Sequence, residues 1–413
     1  MLGGAVVVGS FAFLNGLAAL ALLGSLSDLP QEKLFDINVA LGTAIVTMSL
    51  GGILAYQAAS SLGGVGSSVM ALPRWIWIAP SMVAAFPALV ALGQIEVNNP
   101  ESLPWVFPIT NVLIVTLPSL AIALVVAQRY LRFNLWSWPL SWREWSSAII
   151  YGAIGATTVA AVINTLYLVL GAAVLIHLKG HGDAFQVSDN LPTLPRALGI
   201  TFDISVLSVV APLNEEFWKG MLVAFFFFRK GGAARCFLWG VLAGAGFNIL
   251  ETFQNSLVII SPSEISAQQI GHDWWLFAIA RAGTGAVHSA ATGFSALGIY
   301  GLLRGRGRLA LCYFIGVLIH GSWNFLNFTL AGDAILSQSG PDNDVLDVLS
   351  ILGMIALFLG CIALLWEMPR RIRDGAPAAV YRLLGMVPMT AAQRAAWVPA
   401  PPPRHTAEAY RDW

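Results

Sequence analysis

Along this chain, apolar stretches of about 20 residues or more alternate with short polar loops, the pattern of a protein whose helices cross a lipid bilayer. The stretches fall at roughly 5–26, 37–60, 75–94, 105–128, 148–176, 199–228, 234–260, 274–303, 309–331 and 345–367. They predict an all-α, polytopic integral membrane helical bundle of about ten transmembrane helices. The first stretch lacks a basic leading region and is long for the apolar core of a signal peptide, so it reads as a membrane helix. The stretch 199–228 is the least regular, because Pro212, Glu215, Glu216 and Lys219 interrupt it.

Basic residues follow the loops in alternation. Arg129, Arg132 and Arg143 share one loop, Arg229, Lys230 and Arg235 another, and Arg304, Arg306 and Arg308 a third, while Arg370, Arg371 and Arg373 open the tail. The intervening loops 95–104, 261–273 and 332–344 hold no Lys or Arg. By the excess of basic residues on cytoplasmic loops, both termini are expected in the cytoplasm. The loop 177–198, with Lys179, His181 and Asp183, is expected outside.

Composition narrows the class. The chain is 57% hydrophobic and 11% charged with a mean hydropathy of +0.73, whereas soluble domains carry about 25% charged residues. That excludes an ordinary water-soluble enzyme and a disordered chain. Lys plus Arg number 22 against 22 for Asp plus Glu, so no basic field exists to hold a nucleic acid. Cys236, Cys312 and Cys361 stand far apart in or beside apolar stretches and suggest neither a disulfide framework nor a metal-type spacing. Residues 1–147 are expected to form N-terminal membrane helices, 148–331 a transmembrane core, 332–373 a last helix and 374–413 a cytosolic tail.

Ionisable groups are costly at mid-bilayer and point to function there. The first five spans carry essentially none between their ends, whereas spans six to nine carry Glu215, Glu216, Lys219, Glu251, Arg281, His288 and His320, with the amides Asn248 and Asn324. At a rise of 1.5 Å per residue, measured from the cytoplasmic ends, Glu215 lies about 20 Å deep, Glu251 about 25 Å, His288 about 22 Å and His320 about 17 Å. Four helices thus bring two carboxylates and two imidazoles to one level.

Helical spacing adds detail. Glu215 and Lys219 share a face, as do Phe247 and Glu251, His320 and Asn324, and Arg281 and His288. Adjacent glutamates point about 100° apart. One of Glu215 and Glu216 is therefore expected to serve chemistry while the other balances Lys219 or Arg281. Gly240, Gly244, Gly246, Gly283, Gly285 and Gly293 line the same helices, where small residues let backbones approach.

Four motifs stand in order: Pro212-Leu213-Asn214-Glu215-Glu216-Phe217-Trp218-Lys219, Gly246-Phe247-Asn248-Ile249-Leu250-Glu251, His288 with Gly293 downstream, and His320-Gly321-Ser322-Trp323-Asn324. This order resembles the PrsW family of membrane proteases and, more distantly, the type II CAAX prenyl endopeptidases and bacteriocin-processing proteins. The second motif carries Glu251 where the CAAX group has His. The resemblance covers roughly 212–325 and implies a glutamate-dependent intramembrane endopeptidase in a bacterial cell membrane. Its substrates would be membrane-anchored proteins such as anti-sigma factors. It also implies Glu215 as general base, Glu251 as a holder of the water, and His320 and Asn324 as oxyanion donors.

Amide hydrolysis needs an activated water, a proton shuttle to the leaving amine and donors for the oxyanion, and these residues can supply all three. His288 joins the catalytic set, and Lys219 and Arg281 supply supporting charge. No cofactor is predicted. Zinc is the first rival, and Glu215, Glu251, His288 and His320 would be its ligands, although no His-Glu-x-x-His pair is present. A proton-coupled transporter is the second rival, weakened because only one half of the chain is polar. A catalytically silent receptor or scaffold with the same fold is the third.

Overall fold

In lipid a backbone must satisfy its own N–H and C=O groups. The apolar stretches accordingly fold as helices, with no β-strand among the described residues. The structure, a computed structural model, describes residues 2–66, 70, 77–102, 104–134, 140–178, 201–202, 204–227, 232–261, 267–336 and 344–372. The tail beyond 373 and most of the loop 177–198 lie outside the described residues.

Helix α1 spans Leu2–Leu20. Helices α2 (Pro30–Ile37) and α3 (Thr43–Leu62) run on through the wide turn Asn38–Gly42. Helices α4 (Ile78–Asn98) and α5 (Phe107–Phe133) follow, and α6 (Trp142–Ile150) continues into α7 (Thr157–Leu178) through the wide turn Tyr151–Ala156. The short α8 (Ala211–Gly220) is flanked by wide turns at Val206–Val210 and Val223–Phe227. Helices α9 (Ala233–Ile259), α10 (Ala267–Leu303), α11 (Gly307–Leu336) and α12 (Asp344–Arg371) complete the chain.

Nine helices among the described residues are long and apolar enough to cross a membrane, which makes the chain a multi-pass integral membrane protein. The expected tenth, 199–228, is not among them. Its described residues are helical, but Glu215, Glu216 and Lys219 fall within the ten residues of α8. Helix α8 is instead walled by α7, α9, α10 and α11.

Burial is graded from the centre outward. Of the most apolar window of α9, 94% is buried, against 11% for that of α1, so α9 is a central post and α1 an outer rod. Glycines set the spacing around α9. A Cβ at Gly244 would fall on the His288 carbonyl, and one at Gly246 on the Ile149 carbonyl of α6. Replacing Gly244 by Val is expected to force α9 and α10 apart, at a cost of about 1–3 kcal/mol or more. The midpoint of thermal unfolding in detergent should fall, and cleavage with it; an unchanged midpoint would show that the two backbones do not touch there.

Polar pairs fasten α6 to α9. Ser141 caps α6 by accepting from the Glu144 backbone N–H, as in an N-terminal capping box. The Glu144 carboxylate then accepts from Arg235 Nε at 2.6 Å and from Trp239 Nε1 at 2.6 Å. Arg235, expected in a loop, is therefore buried at the start of α9.

Glu96 departs from expectation too. It was placed in the loop 95–104, but α4 extends to Asn98 and encloses it, 1% exposed, near Thr110 of α5. His272 and Asp273 likewise fall within α10, which begins at Ala267, and not in a loop. The three cysteines are buried and free.

Candidate active site

Helices α8, α9, α10 and α11 bring the in-span charges together. Lys219 is fully enclosed, and its ammonium is the hub. Nζ stands 2.5 Å from Glu216 Oε1, 3.5 Å from Glu215 Oε2 and 3.1 Å from His288 Nδ1, over the face of Phe247 at 4.0 Å. The long lysine stem lets both adjacent glutamates reach one atom. Both glutamates thus lie against Lys219, although adjacent helical positions point about 100° apart.

Each imidazole has its own carboxylate. His288 Nε2 lies 3.0 Å from Glu251 Oε2, and Arg281 Nη2 donates to the same oxygen at 2.7 Å. Arg281 and His288, seven residues apart on α10, thus grip one carboxylate. His320 Nδ1 lies 3.1 Å from Glu216 Oε1. Carboxylates only accept, and an ammonium only donates. His288 therefore carries its proton on Nε2 and offers Nδ1 to Lys219, and His320 carries its proton on Nδ1.

Two buried carboxylate oxygens of the cluster, Glu215 Oε2 and Glu216 Oε2, have no hydrogen-bond partner among the described residues. His320 Nε2 faces Glu215 Oε2 at 3.7 Å, beyond hydrogen-bond reach. With the Lys219 ammonium 3.5 Å from the same Glu215 oxygen, the gap between Glu215 Oε2 and His320 Nε2 is one that a water molecule or a cation could bridge. The rings of His288 and His320 meet edge to face at 4.5 Å between centroids.

A sequence model of PrsW family intramembrane metalloproteases matches residues 140–361, more than half of the chain. The chain belongs to the PrsW family of intramembrane metalloproteases. No curated protein and no solved structure matches it. The match runs from just before α6 into α12 and takes in every member of the cluster, leaving α1 to α5 outside. As a PrsW family member the chain is an intramembrane protease, a hydrolase whose substrates are membrane-embedded proteins.

The metal named in the family description can be tested against the donors. Ligand atoms of Glu215, His288 and His320 lie within 4.8 Å of one another, and all three residues are buried. Glu216 and Glu251 stand behind the two imidazoles, as carboxylates do behind the histidines of zinc sites. The donor set fits zinc, but Lys219 shares the space, and its ammonium would have to leave His288 Nδ1. Glu251, included in the sequence-based zinc set, sits behind His288 and is outside that group of three.

Other expected residues diverge. Asn324 lies one turn beyond His320, and its Nδ2 donates to the Leu207 carbonyl at 2.9 Å, not to the cluster. Asn248 turns away to α5 and donates to Ser119 Oγ at 2.9 Å. With Asn111 donating to Ser256 Oγ at 2.9 Å and to Asn38 Oδ1 at 3.2 Å, it forms a buried polar seam between α5 and α9. Residues 248, 252 and 256 repeat every four positions, the one sequence signal for this seam. Thr252 in that row accepts from Arg281 Nε at 3.1 Å.

Sequence reasoning missed Asn164 of α7, which donates to Glu215 Oε1 at 3.0 Å. An amide inside the otherwise apolar run 157–176 was the available signal.

Proposed function

We propose that the chain hydrolyses peptide bonds of membrane-anchored proteins with a water held between Glu215 and His320. The observation that carries this reading is the buried, unpartnered Glu215 Oε2 facing His320 Nε2 across 3.7 Å. A water donating to both keeps its lone pairs for the scissile carbonyl. Glu215 takes the proton as attack proceeds and returns it to the leaving amine. Lys219 stands 3.5 Å from Glu215 Oε2 and supplies positive charge beside the developing oxyanion. Glu216 and Glu251 hold the tautomers of the two imidazoles, and Arg281 balances Glu251.

Of the two adjacent glutamates, Glu215 is the better base. Its side chain is 10% exposed, whereas that of Glu216 is enclosed and engaged by both Lys219 and His320. The division of the chain into N-terminal helices, catalytic core, last helix and tail is kept as part of this reading. Anti-sigma-factor-like proteins are candidate substrates by family analogy.

Co-reconstitution of the wild-type protein with a single-span substrate in proteoliposomes tests the proposal. Release of a defined peptide is expected, and intact substrate after prolonged incubation would overturn it.

A second reading is favoured by the closeness of the three ligand atoms and by the family description. Zinc would be held by Glu215, His288 and His320, with Glu216 and Glu251 behind the imidazoles. When bound, it supplies a Lewis acid that makes water a stronger nucleophile near neutral pH. The position of Lys219 favours the water-only form, because a fixed ammonium and a divalent cation repel in so small a space. Protein stripped with a chelator, with its zinc content measured by elemental analysis, is expected to keep cleaving. Loss of activity that one equivalent of zinc restores would decide for the metal.

A further inference from the structure

Glu215 is held from the side away from the imidazoles as well. Asn164 Nδ2 donates to Glu215 Oε1 at 3.0 Å, and Asn164 Oδ1 accepts from Asn214 Nδ2 at 2.8 Å. The same Asn214 nitrogen donates to the Ala160 backbone carbonyl at 3.1 Å. The direction of this chain is forced. A backbone carbonyl can only accept, so the NH2 end of Asn214 must face Ala160. That NH2 group then claims Asn164 Oδ1 and leaves the NH2 end of Asn164 for the carboxylate. Turned the other way, Asn164 would aim an oxygen at an oxygen.

We propose that Asn164 is a positioning residue for the proteolytic reaction, oriented by Asn214, that pins Glu215 Oε1 so that Oε2 faces His320 Nε2. The inference rests on the reading of Glu215 as the group that activates water. Rotation of a free carboxylate would turn Oε2 out of line with His320, and a fixed donor on Oε1 prevents it. The donor comes from α7, whereas Glu215 is on α8, so the carboxylate is held correctly only when the two helices are in register. The rival role for the same contacts is a polar tie between α7 and α8 with no effect on chemistry.

Kinetics separate the two. Asn164→Ala is expected to lower kcat about 10- to 100-fold, the usual loss when a partner that orients a catalytic group is removed, with KM within about 2-fold of wild type. Asn214→Ala should lower kcat in the same direction but less, since Asn164 keeps its donor and loses only its bias. The double variant should be no slower than Asn164→Ala alone, because Asn214 acts only through Asn164. Asn214→Asp should be slower than Asn214→Ala. A carboxylate there needs a donor, and drawing it from Asn164 turns that amide around.

Each variant is assayed in proteoliposomes at a temperature below its own unfolding midpoint. Unchanged kcat in Asn164→Ala, or losses that multiply in the double variant, would overturn the proposal. If Asn164→Ala does not fold, Asn214→Asp decides alone, and wild-type kcat in it overturns the proposal. Glu215→Gln runs in parallel. If it is inactive while the asparagine variants are unimpaired, Glu215 keeps its role and only the positioning is lost; if it is fully active, the underlying reading fails first.

Discussion

Replacing Glu215 by Gln is expected to abolish cleavage, with a fall of about 100- to 10,000-fold, the range spanned by general-base catalysis, or more. Glutamine keeps the shape of the side chain and an amide oxygen for Asn164, so insertion and the unfolding midpoint should stay close to wild type. What disappears is the acceptor Oε2 across the 3.7 Å gap from His320 Nε2. The measurement is peptide release from a co-reconstituted single-span substrate beside thermal unfolding of the same preparation. Full activity in the variant would remove Glu215 from the chemistry. Glu216→Gln is the internal comparison. Glu216 works behind His320 and Lys219, so its loss should slow cleavage by about 10- to 100-fold and leave a measurable rate.

Lys219→Met should have the largest effect on stability. The ammonium is fully enclosed within 4 Å of two carboxylates and one imidazole. Its removal leaves both glutamates buried without the cation they share. Breaking a buried ion pair from one side costs about 3–5 kcal/mol, because the stranded charge has no solvent to return to. Methionine matches the stem in volume, so the loss is one of charge and not of packing. The unfolding midpoint should drop, and adding Glu216→Gln to Lys219→Met should recover much of it, since the two removals cancel in charge. Cleavage should remain lost in the double variant. A midpoint unmoved by Lys219→Met alone would mean that the glutamates are balanced by something other than this lysine.

The two carboxylate–imidazole pairs give these predictions a common basis. Glu251 serves His288 and Glu216 serves His320, and each pairing crosses from one helix to another. The cluster is therefore held by four helices at once, and α9 and α10 approach closely because Gly240 and Gly244 have no side chains. Stability and chemistry draw on the same contacts. The Gly244 variant should accordingly lose activity along with its unfolding midpoint.

Much of this was legible before any tertiary contact was known. Apolar run length gave the membrane helices, since a span must be long enough to cross hydrocarbon and must satisfy its own backbone. The position of each charge along its run gave its depth, because an α-helix rises by a fixed 1.5 Å per residue. Glu215, Glu251, His288 and His320 were predicted at one level on that basis, and the structure links them in one network. The segment 199–228 was flagged by its charges, and those same charges keep its described residues out of the count of helices apolar enough to cross a membrane.

Other features depend on how each helix is rotated about its axis and on which helix stands beside it, and hydropathy carries neither. Asn324 shares a face with His320 by spacing, but the carbonyl of Leu207 takes its amide. Asn248 sits one turn from Glu251, but it faces α5. Glu96 looked like a loop residue because polar neighbours follow it, and only the packing of α4 on α5 shows that it is enclosed. Asn164 stood unremarked in an apolar run until α7 was laid against α8. The sequence by itself determined how deep each ionisable group lies, through the constant rise of a helix. The tertiary structure alone decided which oxygen meets which nitrogen, because that depends on axial rotation and on approach distances set by a few glycines.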